Sequence, residues 1–403
     1  MSVQVAMLMG DNADRMANAL ELIAEAQASN ITEITDFYKI DRIVKSGMGS
    51  HFFPVGTQIS TTWKESDAGT EYTNPWDVVH HYSNGDMALN MHFAYPTGVP
   101  FDQPEAIYYA PDGGLAAGQY YITIGLAYGS GWVVGEHINF TLTSAMDAGD
   151  QLVLSTATNN ANNPTNGMAW NVYAKGSTTS KENGVTSNSS EGTELGSTST
   201  SGVGYTNGQI NAPQRIVYGY NRWSQSAVRQ WLNSAAAANA WWTAQNGWDR
   251  PPAVAATLRG FLAGFSTDFV DILQPYPVVT ALNTVEGATE ATETTYDRIF
   301  LPSKTEYYQS AQYTEGEQWD YFKTLAQQAG YTGVFPNSTN IAVLKKYNLS
   351  AQTSAVTVWE RSASRGSAGN VWFVNSNGYV NNSGGGAYGA TRGCPACIIR
   401  KSA

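Results

Sequence analysis

The sequence has little charge, little cysteine and little histidine. Of its 403 residues 14% are charged, against about 25% in ordinary soluble domains. The deficit does not point to a membrane, because no apolar run approaches the roughly 18 residues a spanning helix needs. The polar surface is built instead from Asn, Ser, Thr, Gly and Tyr. Basic residues are outnumbered 22 to 33, for a net charge of -11. That argues against nucleic acid as the main partner, since phosphate binding needs a basic face. Two cysteines, Cys394 and Cys397, fall far short of a disulfide scaffold. With 5 histidines they leave little for a transition-metal site, so neither metal nor cofactor is expected. The first residues lack the basic flank and apolar stretch of a signal peptide; assembly inside a cell is the expectation.

Catalytic signatures are missing too. There is no GxSxG elbow, HExxH, P-loop or dinucleotide fingerprint. Acidic pairs exist, Asp268 with Asp271 and Glu290 with Glu293, in settings where solvated faces are the default; spacing alone does not exclude a glycosidase pair. His80 and His81 are adjacent and on a strand point to opposite faces, so they cannot share one metal. The CPAC motif, Cys394 to Cys397, precedes Ile398-Ile399 in a β pattern rather than opening a helix. Two buried residues in a strand is the first reading, and a redox or metal role the second.

What is present divides the chain. Residues 11 to 28 read as a helix with Asp11 as N-cap and Met16, Leu20, Ile23 and Ala24 on one stripe. The first 49 residues are taken as a helical segment, either for assembly or packed on its own domain. FFPVGTQIS, PWDVVHHYS and MALNMHFAY read as strands, the last two around a turn at Asn84-Gly85-Asp86. YYITIGLAYG, VVGEHINFTLTS, QLVLSTAT and AWNVYAKG have the spacing of an antiparallel sandwich. Residues 176 to 208 hold almost no large apolar side chains and read as a long loop.

The pattern then changes. SQSAVRQWLNSAAAAN is a predicted helix capped by Ser224 or Ser226, and EGEQWDYFKTLAQQAG another, with Trp319, Phe322, Leu325, Ala326 and Ala329 as its stripe and Gly330 as its stop. Trp231, Trp241, Trp242 and Trp248 read mainly as core. VWFV and GYVN flank Asn-Ser-Asn-Gly, a hairpin signal. No carboxylate follows Glu360. Around the hairpin the residues are Gly, Ser, Asn and Tyr, the composition of an adaptable binding surface held on a scaffold.

SAVRQWLNS, NAWWTAQNGWDRPP, GFLAGF, DRIFLPSKTE, VWERSASRGSAGNVWFVNSNGYV and ATRGCPACIIR occur in that order. Together they resemble the C-type-lectin-fold variable proteins of diversity-generating retroelements, a family common in phages and gut bacteria. The resemblance covers residues 211 to 403 and extends to PVGTQI and PWDVVHHYSNGDMALNM. It implies an α+β C-type lectin fold over residues 50 to 94 plus 211 to 403, joining its first and last strands. Residues 95 to 210 would then be an inserted antiparallel, Ig-like β-sandwich.

In that family a retroelement rewrites adenine positions in the coding segment, and the fold displays the resulting side chains to a ligand. The codons concerned cannot become Trp, so the resemblance makes Trp359 and Trp372 scaffold, with Val371, Phe373, Val374, Gly378 and Val380. It makes the displayed, ligand-binding positions Ser362, Ser364, Arg365, Ser367, Asn370, Asn375, Asn377, Tyr379, Asn381, Asn382, Ser383 and Tyr388. The Glu-Pro-Asn, Gln-Pro-Asp and Trp-Asn-Asp motifs of calcium-dependent lectins are absent, which argues against calcium-mediated sugar recognition. The formylglycine-generating oxidases share the fold, but beyond the paired cysteines nothing of their site is visible.

The resulting expectation is a non-enzymatic binding protein, a phage receptor binder contacting a protein or glycan on a host cell surface. It would be made in the bacterial cytoplasm and carried on the virion, a role that multivalent display through a homo-oligomer suits. A bacterial surface adhesin, a virion structural or decoration protein and a lectin-fold enzyme are the alternatives.

Overall fold

The computed structural model describes residues 36–103, 219–245, 249–283, 291–365, 369–382 and 386–402, with short stretches between 108 and 174. The helix expected over 11 to 28, the loop 176 to 208, Trp248, Ser367 and Ser383 lie outside the described residues.

The chain begins with α1 (Phe37–Lys45), α2 (Gly49–Phe52), β1 (Gln58–Lys64), β2 (Glu71–His81) and β3 (Met87–Met91). Short strands follow: β4 (Tyr108–Tyr109), β5 (Gly118–Ile124), β6 (His137–Leu142), β7 (Gln151–Leu152) and β8 (Trp170–Ala174). Next come α3 (Ala227–Leu232), α4 (Thr267–Ile272), β9 (Tyr276–Ala281), β10 (Thr292–Asp297), β11 (Ile299–Phe300) and α5 (Asp320–Gln328). The remainder is β12 (Lys346–Asn348), β13 (Ala351–Val356), β14 (Val358–Ala363), β15 (Val371–Val374), β16 (Val380–Asn381) and β17 (Ala396–Ile399). Helices combined with several antiparallel sheets make this an α+β chain.

The main sheet has the order β1-β2-β3-β17-β11, antiparallel throughout. β3 and β17 are buried along their whole length, because layers cover both faces. This is why MALNM and ACII read as apolar runs and not as alternating strands. The turn between β2 and β3 is at Asn84-Gly85-Asp86, as the sequence indicates. Gly85 takes a φ of +95°, and Asn84 Oδ1 accepts from Asp86 N at 3.0 Å.

α1 starts where Asp36 accepts a hydrogen bond from Lys39 N, and it buries Phe37, Ile40, Ile43 and Val44 at helical spacing. Phe37 meets Phe269 of α4 edge-on, ring centres 5.0 Å apart. This part of the first 49 residues therefore packs into the common core. FFPVGTQIS is only partly a strand, since Phe52 closes α2 and β1 starts at Gln58. α3, capped by Ser226, ends at Leu232, short of the predicted run through the alanines. In α5, Trp319, Phe322 and Ala326 are buried, Leu325 is half-buried and Ala329 is exposed; Gly330 follows at φ +86°.

Most of the described tryptophans fill the core, and several of their indole N–H groups are satisfied inside it, whereas Trp242 is half-buried and its indole N–H has no partner among the described residues. Trp63 donates to Phe261 O, Trp223 to Asp297 Oδ2, Trp231 to Arg259 O and Trp241 to Leu258 O.

Tyr95, Val99 and Phe101 are fully buried in the main core. The chain leaves that core after Asp102, not at residue 95. It returns beside its point of departure, where a Cβ on Gly219 would lie 2.4 Å from Asp102 O. Between these points β5 pairs antiparallel with β6 on one side and β8 on the other. Among the described residues no helix is long and apolar enough to cross a membrane.

Candidate functional site

The site is built around β14, whose sequence VWERSA is buried at every position, including Glu360 and Arg361. A buried guanidinium must satisfy its donors locally. Arg361 forms a two-pronged pair with Glu306, at 2.5 and 2.9 Å, and donates to the main-chain oxygens of Leu301, Val279 and Glu315. Glu360 accepts from Gln309 Nε2 at 2.6 Å. Burial raises its pKa to about 7.

The loop after β11 brings Lys304 against this strand. Its main-chain N–H donates to Ser362 Oγ at 3.0 Å, and the Ser362 hydroxyl donates to Glu315 Oε2 at 2.6 Å. The other Glu315 oxygen accepts from Ala281 N at 2.9 Å. Burial raises the Glu315 pKa as well. The Lys304 ammonium donates to Asn337 Oδ1 at 2.7 Å and lies 3.1 Å from the centre of the Trp372 ring. Burial lowers its pKa to about 8, against the opposing pull of Glu360 and Glu315.

Arg365 places its guanidinium 4.0 Å over the Tyr313 ring and donates to Leu282 O and Ala291 O. Asn382 Nδ2 donates to Ser364 Oγ at 2.8 Å. These groups enclose a cavity of about 310 Å³, walled by Lys304, Tyr313, Asn337, Ser364, Arg365, Trp372 and Asn382 over Glu315 and Ser362.

Of the twelve residues the resemblance marks, the cavity brings together Ser362, Ser364, Arg365 and Asn382. Two of these correct the expectation of display. Ser362 is 1% exposed and Ser364 5%, because a small hydroxyl on β14 and the turn after it is within reach of internal partners. Six others lie off the cavity. Asn370 uses its main-chain oxygen to accept from Ser364 N and Asn221 Nδ2. Asn375 Oδ1 accepts from the N–H groups of Asn377 and Tyr379, holding the β15–β16 turn, with Asn377 exposed beside it. Tyr379 bridges to Asn340, Asn381 lies in β16 opposite Phe373, and Tyr388 is exposed.

Trp359, Val371, Val374, Gly378 and Val380 are buried, but Trp372 and Phe373 are half-buried, and Trp372 forms a cavity wall. Lys304, Tyr313, Glu315 and Asn337 were not found from the sequence, because they come from segments that only the fold places beside β14. The available signal was the Glu360-Arg361 pair between Val358-Trp359 and Ser362-Ala363, since buried charges demand partners.

The other motifs resolve into structural contacts. Cys394 and Cys397 are free and fully buried; burial pushes the Cys394 thiol up to about 12 and raises that of Cys397 too. Asn90 Nδ2 donates to Cys394 O at 2.7 Å and Pro395 O at 3.1 Å, fastening this segment to β3. His80 meets Asp320 at 2.9 Å and Glu317 at 3.3 Å, while His81 Nε2 contacts Phe53 O at 2.7 Å. Asp268 contacts Phe269 N, Asp271 accepts from Tyr38, and Glu293 accepts from Arg222 and Ser224. Glu290 lies outside the described residues.

Residues 205–401 match the model of a domain of unknown function, DUF6273. The match spans the cavity, the β15–β16 hairpin and β17. No curated protein and no solved structure matches the chain.

Proposed function

We propose that the chain is a ligand-binding protein that presents its segment from Arg365 to Tyr388 on a C-type-lectin-like scaffold. The family we infer is that of the variable proteins of diversity-generating retroelements. The ligand in this reading is a protein or glycan on a host cell surface, and a phage virion is the setting.

One observation carries the reading furthest. Ser364, Arg365 and Asn382, three of the residues singled out by type and resemblance, meet at one cavity with Trp372 and Tyr313. Aromatic faces beside amides and hydroxyls are a common composition of recognition surfaces. The antiparallel pairing of β17 with β3 supports the lectin-like topology. The inserted sandwich is supported by the adjacent departure and return of the chain at Asp102 and Gly219.

The test has two parts. The coding segment for residues 360 to 390 is sequenced from many isolates together with its flanking DNA. Changes confined to adenine-bearing codons, beside a near-identical template copy, are expected. Adsorption of the purified chain to host cells is then measured for alanine variants of Ser364, Asn382 and Tyr388 combined. An invariant segment together with unchanged adsorption overturns the reading.

A further inference from the structure

We propose that the cavity beside β14 is a subsite for a carboxylate-bearing sugar residue, with the acid group pairing with the Lys304 ammonium. The proposal rests on the binding reading above and names the ligand class of the same site. Its starting point is an ammonium without a counter-ion. Lys304 bonds to Asn337 and lies on Trp372, and no carboxylate among the described residues comes within ion-pair distance of it. A cation withdrawn from water in this way gains strongly from an arriving anion.

The neighbouring acids are committed elsewhere. Glu306 is held by Arg361, and both Glu315 oxygens accept hydrogen bonds from Ala281 and Ser362. Glu360 faces Gln309. Its Oε2 has no partner, and neither has Gln309 Oε1. A proton on Glu360 Oε2 turns that oxygen into a donor, and Gln309 Oε1 is the unpartnered acceptor on the side chain that already donates to Glu360 Oε1. Burial favours that neutral form, as the raised Glu360 pKa reflects. With Glu360 neutral, Glu315 is the one acid whose pull on Lys304 remains, and its oxygens are taken up by Ala281 and Ser362; the Arg365 guanidinium on Tyr313 adds a second cation to the wall.

The rest of the lining reads hydroxyl groups. Ser310, Gln312, Ser364 and Asn382 offer neutral donors and acceptors around one opening. A volume of about 310 Å³ is small for a ligand pocket and suits a single ring. An acidic side chain of a protein would engage Lys304 but leave this polar rim unread, so the lining favours the sugar.

Saturation-transfer NMR on the full chain, with glucuronic acid, glucose and N-acetylglutamate as probes, tests the proposal. Glucuronic acid is expected to bind about ten-fold more tightly than either comparison probe. Asn337→Asp supplies Lys304 with an internal carboxylate at an isosteric position and is expected to weaken glucuronic acid binding by about ten-fold. Lys304→Met should do the same, with folding of both variants checked by thermal melts. Equal binding of glucose, equal or better binding of N-acetylglutamate, unchanged affinity in a folded Asn337→Asp chain, or no binding of glucuronic acid each overturns it. Host-cell adsorption separates the two readings. If the wild-type chain adsorbs through Ser364, Asn382 and Tyr388 yet ignores glucuronic acid, the subsite falls and the binding protein stands.

Discussion

Glu306 and Arg361 form a two-pronged ion pair inside the protein, at 2.5 and 2.9 Å, with the guanidinium wholly removed from solvent. The pair ties the loop after β11 to β14, and so fixes where Lys304 stands relative to Ser362. Breaking one side leaves the other charge buried and alone. Glu306→Gln and Arg361→Met are therefore each expected to destabilise the chain by roughly 3–5 kcal/mol. Urea denaturation followed by tryptophan fluorescence checks this, and a loss below about 1 kcal/mol contradicts the buried geometry.

Glu360 gives stability a pH dependence whose sign follows from burial. The folded chain holds this proton to about pH 7, whereas the ordinary value is 4.5. Between those values the folded state binds more protons than the unfolded state, so this contribution is complete at low pH and declines as pH rises toward 7. The lost amount is on the order of 3 kcal/mol. Lys304 acts in a higher window. Its pKa is lowered to about 8 from 10.5, so its contribution is regained as pH rises between those values. Glu360→Gln keeps a neutral group facing Gln309 and is expected to flatten the profile between pH 5 and 7. Denaturation midpoints across a pH series decide it, and an unchanged slope in the variant refutes the assignment.

Cys394 and Cys397 are buried among the sheet residues with raised pKa values, and only a thiolate reacts readily. Neither is expected to react with iodoacetamide in the native chain at neutral pH, while both react in guanidinium. Mass spectrometry of labelled peptides gives the answer. Rapid native labelling would restore the redox or metal reading of CPAC.

Gly378 sets the turn that carries Asn375 and Asn377. Its φ is +81°, and a Cβ there would come 2.1 Å from Ile341 O. Gly378→Ala is expected to cost about 1–3 kcal/mol through backbone strain, with a further penalty for displacing the Ile341 strap. A lower melting temperature together with faster amide exchange at Tyr379 and Val380 is the readout. An unperturbed melt would show that the turn can relax.

Much of the local structure was legible because its causes are local. Asp36 and Ser226 cap their helices through their own side chains, Asn84-Gly85-Asp86 makes its own turn, and the Asn375 side chain holds the hairpin that Asn-Ser-Asn-Gly announces. Elements that depend on distant packing are less legible. The alanines after Leu232 have strong helical propensity, yet the helix ends there, with Asn233 Nδ2 donating to Ile299 O and its side-chain oxygen accepting from Arg298 and Ile299. The candidate site divides in the same way. Ser364, Arg365 and Asn382 were visible by type, but the ammonium that gives the cavity its charge comes from residue 304 and its partner from residue 337. Trp372 was assigned to the scaffold by codon logic, which constrains what can vary and is silent on what a fixed ring touches.

The placement of β17 has a consequence for how the molecule is made. Asn90 on β3 is fastened to Cys394, 304 positions later. At roughly 5–20 residues per second of synthesis that separation corresponds to roughly 15–60 s. During that interval β3, with Met87, Ala88, Leu89 and Met91 around Asn90, has been synthesised and its neighbour β17 has not. A contact this remote also delays closure of the sheet. The newborn chain therefore needs its β3 edge shielded, by a chaperone or by its own emerging segments, and the yield of folded protein is expected to depend more on that interval than on the stability of the finished sheet.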